Sequence, residues 1–169
     1  MLLKYSKEYK KTDNLSFVLL AYQMMMATTI ATMKFQINHL KKIVIVRSDF
    51  DDKSVSDFTA LINPQIIKFE GEITKDFEGC LSVPDVYGMV PRYSKIRVKA
   101  KDINGNDVRF KADGFLARII QHEVDHVNGI VFIDHIRDDK DAFFKLDKDG
   151  ELQPLDYERY VKKNNILWD

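Results

Sequence analysis

The 169-residue chain has a single cysteine, Cys80, so no intrachain disulfide can form and an oxidising compartment is not indicated. It has no charge surplus: 26 Lys and Arg balance 26 Asp and Glu. A generally basic nucleic-acid binder is thereby disfavoured, although a local patch can hide in a balanced sum. No uninterrupted apolar run reaches the roughly 20 residues that span a bilayer. The nearest approach, Phe17 to Met33, follows Lys10 and Lys11 as a signal peptide would. Tyr22, Gln23, Thr28, Thr29 and Thr32 interrupt it. It reads better as a buried amphipathic helix, capped by Asp13 or Ser16, with Leu19, Leu20, Met24 and Ala27 inward. No internal repeat or low-complexity linker stands out. What the chain does have is apolar mass: 45% hydrophobic and 11% aromatic residues build a core without staples and exclude disorder. One domain over residues 1–169 is expected.

Several short strands and two helices suggest an α+β fold. The β-branched run Lys42 to Arg47 reads as a strand, and Asp49 to Lys53 as an acidic turn. Ala60 to Phe69 reads as extended, with Pro64 at an edge or bend. Ile96, Val98 and Ala100 alternate with Lys95, Arg97, Lys99 and Lys101, the period of a half-buried strand. Its basic face is either solvated or a contact for RNA or a phosphate. Asn104-Gly105 signals a hairpin into Asp107 to Phe110. A helical pattern then runs from Asp113 to Asn128 and stops at Gly129. Ile130 to Ile133 is a short apolar segment, and the charged tail from Asp138 carries helical turns near Tyr157 to Lys163. Asp147 to Gly150 lacks the spacing of a calcium loop and reads as a turn.

The helical segment carries the chemistry, in His122-Glu123-Val124-Asp125-His126. Histidines at i and i+4 lie on one helix face, so two imidazoles can reach one metal ion. Glu123 lies about 100° round the helix and can reach a water beside the metal rather than the metal itself. Asp125 reads as a helix-surface or supporting group. A catalytic site usually has a third protein ligand. One peptidase layout would place it at position 132, but Phe132 cannot coordinate. Glu151, Glu158 and His135 lie in unpersuasive contexts, with His135 expected at the surface near Arg137. Cys80, within Glu78-Gly79-Cys80-Leu81-Ser82-Val83-Pro84, is the remaining candidate, with buried filler its alternative role.

Glu78 to Pro84 and Gln121 to His126 together resemble the second and third motifs of the peptide deformylases. Leu61 to Pro64, Val90-Pro91-Arg92, the Lys95 to Lys101 strand and Ala112-Asp113-Gly114 resemble that family in order and spacing. The resemblance is strongest over residues 43–136, and 137–169 form a tail of no assigned role. It implies an α+β fold of short antiparallel sheets around a central HExxH helix. It implies a cytoplasmic metal hydrolase that removes the formyl group from the N-terminal methionine of nascent polypeptides. Cys80, His122 and His126 would hold one divalent metal, most often iron(II), with zinc, nickel or cobalt as substitutes. Glu123 would move the proton. The backbone N–H of Leu81 and the side-chain amide of Gln36 would stabilise the oxyanion. Phe115 and Ile119 would line the methionine pocket or serve as core, and Tyr87 would border its mouth or pack. Formyl-methionyl nascent peptides are the expected partners, with the ribosome as a further candidate, and neither a membrane nor a specific nucleic acid is expected.

The first family motif departs sharply. Where Gly-x-Gly-x-Ala-Ala-x-Gln is expected, the chain reads Thr29-Ile30-Ala31-Thr32-Met33-Lys34-Phe35-Gln36. Ala31 partly permits the close backbone approach that glycine would allow at the substrate. Two other readings follow: a degenerate paralogue with altered substrate or no turnover, and an HExxH metallopeptidase.

Overall fold

The computed structural model describes residues 42–47 and 58–162. The expected helix at Phe17 to Met33, the turn at Asp49 to Lys53, Ala31 and Gln36 lie outside the described residues. The fold is α+β. Strands β1 (Ile43–Arg47), β2 (Phe58–Cys80), β3 (Val83–Lys101), β4 (Asp107–Asp113), β5 (Phe143–Leu146) and β6 (Leu152–Pro154) form one sheet. Its order is β1-β2-β3-β5-β6, with β4 also paired to β3, and every pairing is antiparallel. The single described α-helix, α1, spans Gly114–Val127.

The sheet is built around one long hairpin, β2 of 23 residues against β3 of 19. Breaks in register divide it into shorter stretches. The first falls between Ile62 and Gln65, where Pro64 has no N–H to offer the ladder. Asn63 there adopts φ 50° and bonds twice to Lys42: its N–H donates to the Lys42 carbonyl at 2.6 Å and its Oδ1 accepts from the Lys42 N–H at 3.0 Å. Asn tolerates this left-handed conformation better than most residues, so Asn63-Pro64 turns a would-be ladder gap into the β1 connection.

On the inner face of the sheet, Val44, Val46, Leu61, Ile96, Val98 and Ala100 pack against Ala117, Ile119, Ile120 and Val124 of α1. Burying one such Leu or Ile side chain contributes about 1.5–3 kcal/mol. A second cluster unites Val86, Val90, Phe132, Ile133, Ile136 and Phe143. Phe132–His135 is a 3-10 turn, so the short apolar segment after α1 supplies this second core rather than a strand. The tail contributes Leu155 and Val161 to it, with a helical turn at Glu158–Lys162. Asp147 spends Oδ1 on the backbone N–H groups of Asp149 and Glu151, both at 2.9 Å, which is turn chemistry.

From Ala117 to Val124 every residue of α1 is buried, including Arg118, Gln121, His122 and Glu123. A helix buried on all sides must satisfy its polar groups internally. Gln121 does so with the backbone of Tyr93: its Nε2 donates to the carbonyl at 2.9 Å and its Oε1 accepts from the N–H at 3.2 Å. The amide stands in for a strand residue and ties α1 to β3.

Candidate metal centre

Cys80 is the last residue of β2 and faces Val83 across the Leu81-Ser82 turn. This brings it over α1, where one helical turn separates His122 from His126. Cys80 Sγ lies 3.1 Å from His126 Nε2, and the two Nε2 atoms lie 3.0 Å apart. The three candidate ligand atoms fall within 4.8 Å of one another. A tetrahedral ion with bonds of about 2.3 Å to sulfur and about 2.0–2.1 Å to nitrogen needs ligand separations of about 3.3–3.6 Å. The donor set therefore fits a divalent ion after shifts of a few tenths of an ångström.

The electrostatics agree. Burial pushes the Cys80 thiol up, but hydrogen bonds with His122 and His126 bring its pKa down to about 5. The Ser82 N–H also donates to Sγ at 3.4 Å. Burial disfavours a charged His122, but bonds with Cys80 and Glu78 more than offset this and raise its pKa to about 9. The pocket thus favours a thiolate with positive charge beside it, which is what a divalent cation supplies.

Glu78, fully buried two residues before Cys80, organises the site. Its Oε2 accepts from His122 Nδ1 at 2.9 Å, which leaves Nε2 facing Cys80. Arg92 donates through Nε and Nη2, both at 2.9 Å, and Arg118 Nη1 donates at 2.9 Å. Burial raises the Glu78 carboxyl, yet His122 and Arg92 hold it well below the usual carboxylate range. Arg92 also bonds Asp125, and Asp125 Oδ2 lies 2.7 Å from His135 Nε2. His135 is thus joined to the support of the site, not merely placed near Arg137. Arg118 reaches the carbonyls of Val90 (2.9 Å) and Thr74 (2.8 Å), so it holds β2, β3 and α1 together.

Glu123 is different. It is fully buried, and neither carboxylate oxygen has a hydrogen-bond partner among the described residues. Burial raises its pKa to about 7, against the pull of His122 and His126. An unpartnered buried carboxylate is costly, and it fits a group kept free to exchange a proton.

The remaining expected residues fall as follows. Leu81 is half exposed at the hairpin turn, directly after Cys80. Ile119 is 1% exposed in the first core, with half-buried Phe115 packed beside it. Tyr87 is half-buried opposite Gly79, where an added Cβ would lie 2.8 Å from its ring, so that close approach requires glycine. Phe132 is buried, with its ring stacked on His122 at 6.4 Å between centroids. Sequence reasoning did not single out Arg118. The available signal was its place four residues before His122, a cation inside an apolar helix face.

Fold and site together define an α+β domain with a candidate Cys/His/His donor set, the Cys at a strand end and both His on an HExxH helix, and a buried carboxylate beside it. The family model for polypeptide deformylases matches residues 1–142. The chain belongs to that family. It is 41% identical over 119 residues to a peptide deformylase of Thermomicrobium roseum, covering 69% of this chain and 67% of that one. It is 46% identical over 103 residues to one from Brachyspira hyodysenteriae, covering 60% and 55%. The crystal structure of a Synechococcus elongatus peptide deformylase in complex with actinonin matches with TM-score 0.52 and 41% identity, covering 56% of this chain and 50% of that one. A class I type b peptide deformylase from Acinetobacter baumannii matches with TM-score 0.51 and 41% identity, covering 56% and 61%. The matched part thus spans about half to two thirds of these relatives' lengths. The family implies a divalent metal, and the Cys80, His122 and His126 cluster could hold it.

Proposed function

We propose that this chain is a peptide deformylase, hydrolysing the formyl group from the N-terminal formyl-methionine of nascent polypeptides in the cytoplasm. The observation that carries the reading is the buried Glu123, unpartnered among the described residues, beside three converging candidate ligand atoms, in a chain of this family. Cys80, His122 and His126 hold the metal, with iron(II) first and zinc, nickel or cobalt as substitutes. When bound, the metal supplies Lewis acidity to the formyl oxygen and to water.

The chain's own groups do the rest. Glu123, with a pKa about 7, takes a proton from water as that water adds to the formyl carbon, then returns it to the departing amine. The Leu81 N–H and the Gln36 amide donate to the developing oxyanion. Glu78 fixes the ring of His122. Ala31, Phe115, Ile119 and Tyr87 border the methionine, and the ribosome presents it. No described helix is long and apolar enough to cross a membrane.

A second reading, a paralogue that binds metal without turnover, is favoured by one observation. The residues aligned with the Gly-rich motif are Thr29 to Gln36, of which only the Gln matches. One experiment separates the two: assay a formyl-Met peptide and measure metal in the same sample. Formate release with about one metal per chain is expected. A metal-loaded sample that releases none would overturn the deformylase reading.

A further inference from the structure

The face of β2, β3 and β4 turned away from α1 carries a concentration of cations that the chain's zero net charge conceals. Ile96, Val98, Ala100 and Ala112 point inward to the first core. The alternate residues of β3, namely Lys95, Arg97, Lys99 and Lys101, therefore point outward. Register places Lys111 and Lys68 on either side of Arg97, and Arg109 beside Lys99. Like charges directly opposite one another on adjacent strands destabilise a sheet, and this face has three such pairs.

Acidic neighbours offset only part of this. Glu70 is held by Arg97 and Lys68, at 2.8 Å each, and Asp107 by Lys101 at 2.8 Å. Asp113 faces Lys95. Lys99 and Arg109 feel Asp107 only as a charge already bonded elsewhere. Among the described residues, no ion pair forms to Lys99, Arg109 or Lys111.

We propose that this outer face docks the phosphate backbone of single-stranded RNA. The Arg97–Lys111 and Lys99–Arg109 pairs form two rungs about 7 Å apart along the strands, within reach of consecutive phosphates on an extended strand. No aromatic side chain lies among Lys95, Arg97, Lys99, Lys101 and the β4 residues opposite them, and the exposed Tyr93 before them already packs its ring near Phe69, 5.1 Å between centroids, so binding is to the backbone and does not read sequence. An anionic membrane fits less well, because stable anchoring adds an apolar anchor to the charge. The exposed apolar residues Ile67, Phe69 and Ile73 belong to β2, and Ile103, in the adjoining hairpin, follows Asp102; none lies on the β3–β4 rungs. The choice of RNA over DNA rests on the proposed action on nascent polypeptides. The face is opposite α1, so both sites can be occupied at once.

The test is fluorescence anisotropy of the full chain with labelled poly(U) and poly(A). Equal affinity for the two is expected. For four phosphate contacts, raising salt from about 50 to about 200 mM should weaken binding about fifty-fold. Lys99→Glu with Arg109→Glu should weaken it at least about tenfold, whereas Lys99→Arg with Arg109→Lys should bind like the parent. Both doubles should release formate from a short formyl-Met peptide at the parental rate, so a failure of the deformylase reading shows separately. If the reversal double does not fold, Lys111→Gln alone should still lower affinity and the salt slope. No RNA binding by the parent, equal binding by the reversal double, a strong base preference, or tighter binding to phosphatidylserine vesicles than to RNA would each overturn the proposal.

Discussion

Glu123→Gln should make the chelator-treated protein more stable at high pH while abolishing the proposed deformylation. The parent's carboxylate is buried and has no hydrogen-bond partner among the described residues, with a pKa raised to about 7 from the ordinary 4.5. A raised acid pKa means that the folded state holds the proton more tightly than the unfolded chain. Its stability contribution is therefore greatest below pH 4.5 and is lost as pH rises through 7. At about 1.36 kcal/mol per unit, the full loss is about 3 kcal/mol, most of it between pH 5 and 8. The amide cannot ionise, so this slope vanishes in the variant. Urea unfolding of both proteins at pH 5 and pH 8 isolates the effect, since other titrating groups cancel in the comparison. A stability difference that did not grow by at least about 1 kcal/mol between the two pH values would refute the reasoning. Reloading with a divalent metal should narrow the gap, because a nearby cation favours the parent's carboxylate.

Three further perturbations test the packing and the ligand set. Gly88→Ala would put a Cβ 2.5 Å from Ile136 Cδ1 and 2.9 Å from Phe132; it should cost about 1–3 kcal/mol in equilibrium unfolding, and Ile136→Val should recover part of this. Arg118→Met strips donors from Glu78, Val90 and Thr74; a loss of about 3–5 kcal/mol is expected, and one below about 1 kcal/mol would show that water replaces the guanidinium. Cys80→Ala should lower the metal content of purified protein, and unchanged stoichiometry would move the third ligand elsewhere.

The parts of the site written locally were legible. His122, Glu123 and His126 fall within one helical turn or so, and the buried helix around them shows in the apolar flanks Ile119, Ile120 and Val127. The β3–β4 hairpin was equally plain, because Asn104-Gly105 and strict alternation coincide. The long hairpin was not. From Gly71 to Asp76 every residue of β2 is exposed, so no alternation marks the strand there. The register also slips between Glu70 and Ile73. The ionic support was least legible of all. From sequence, Glu78 and Arg92 read as structural charges whose pairing is only a guess, Asp125 as a surface or supporting group, and Arg118 not at all, since charged residues are rarely buried unless paired. Only the fold brings Glu78 to Arg118, 40 residues away.

That distribution explains why the two motifs that carry the candidate ligands behave as one unit. Glu78 and Cys80 share the end of β2, and Glu78 grips His122 across 44 residues of sequence. Any displacement of the hairpin end relative to α1 must therefore stretch a buried charge-assisted bond before it separates the ligands. Glu78 and Asp125 balance Arg92 and Arg118, so the group is neutral as a whole and tolerable at such burial. Removing any one member leaves an uncompensated charge beside the candidate metal ligands. Stability and ligand geometry should consequently fall together in variants of these four residues. In Glu123→Gln they should part, because Glu123 is, among the described residues, the one buried acid near the candidate ligands without a hydrogen-bond partner.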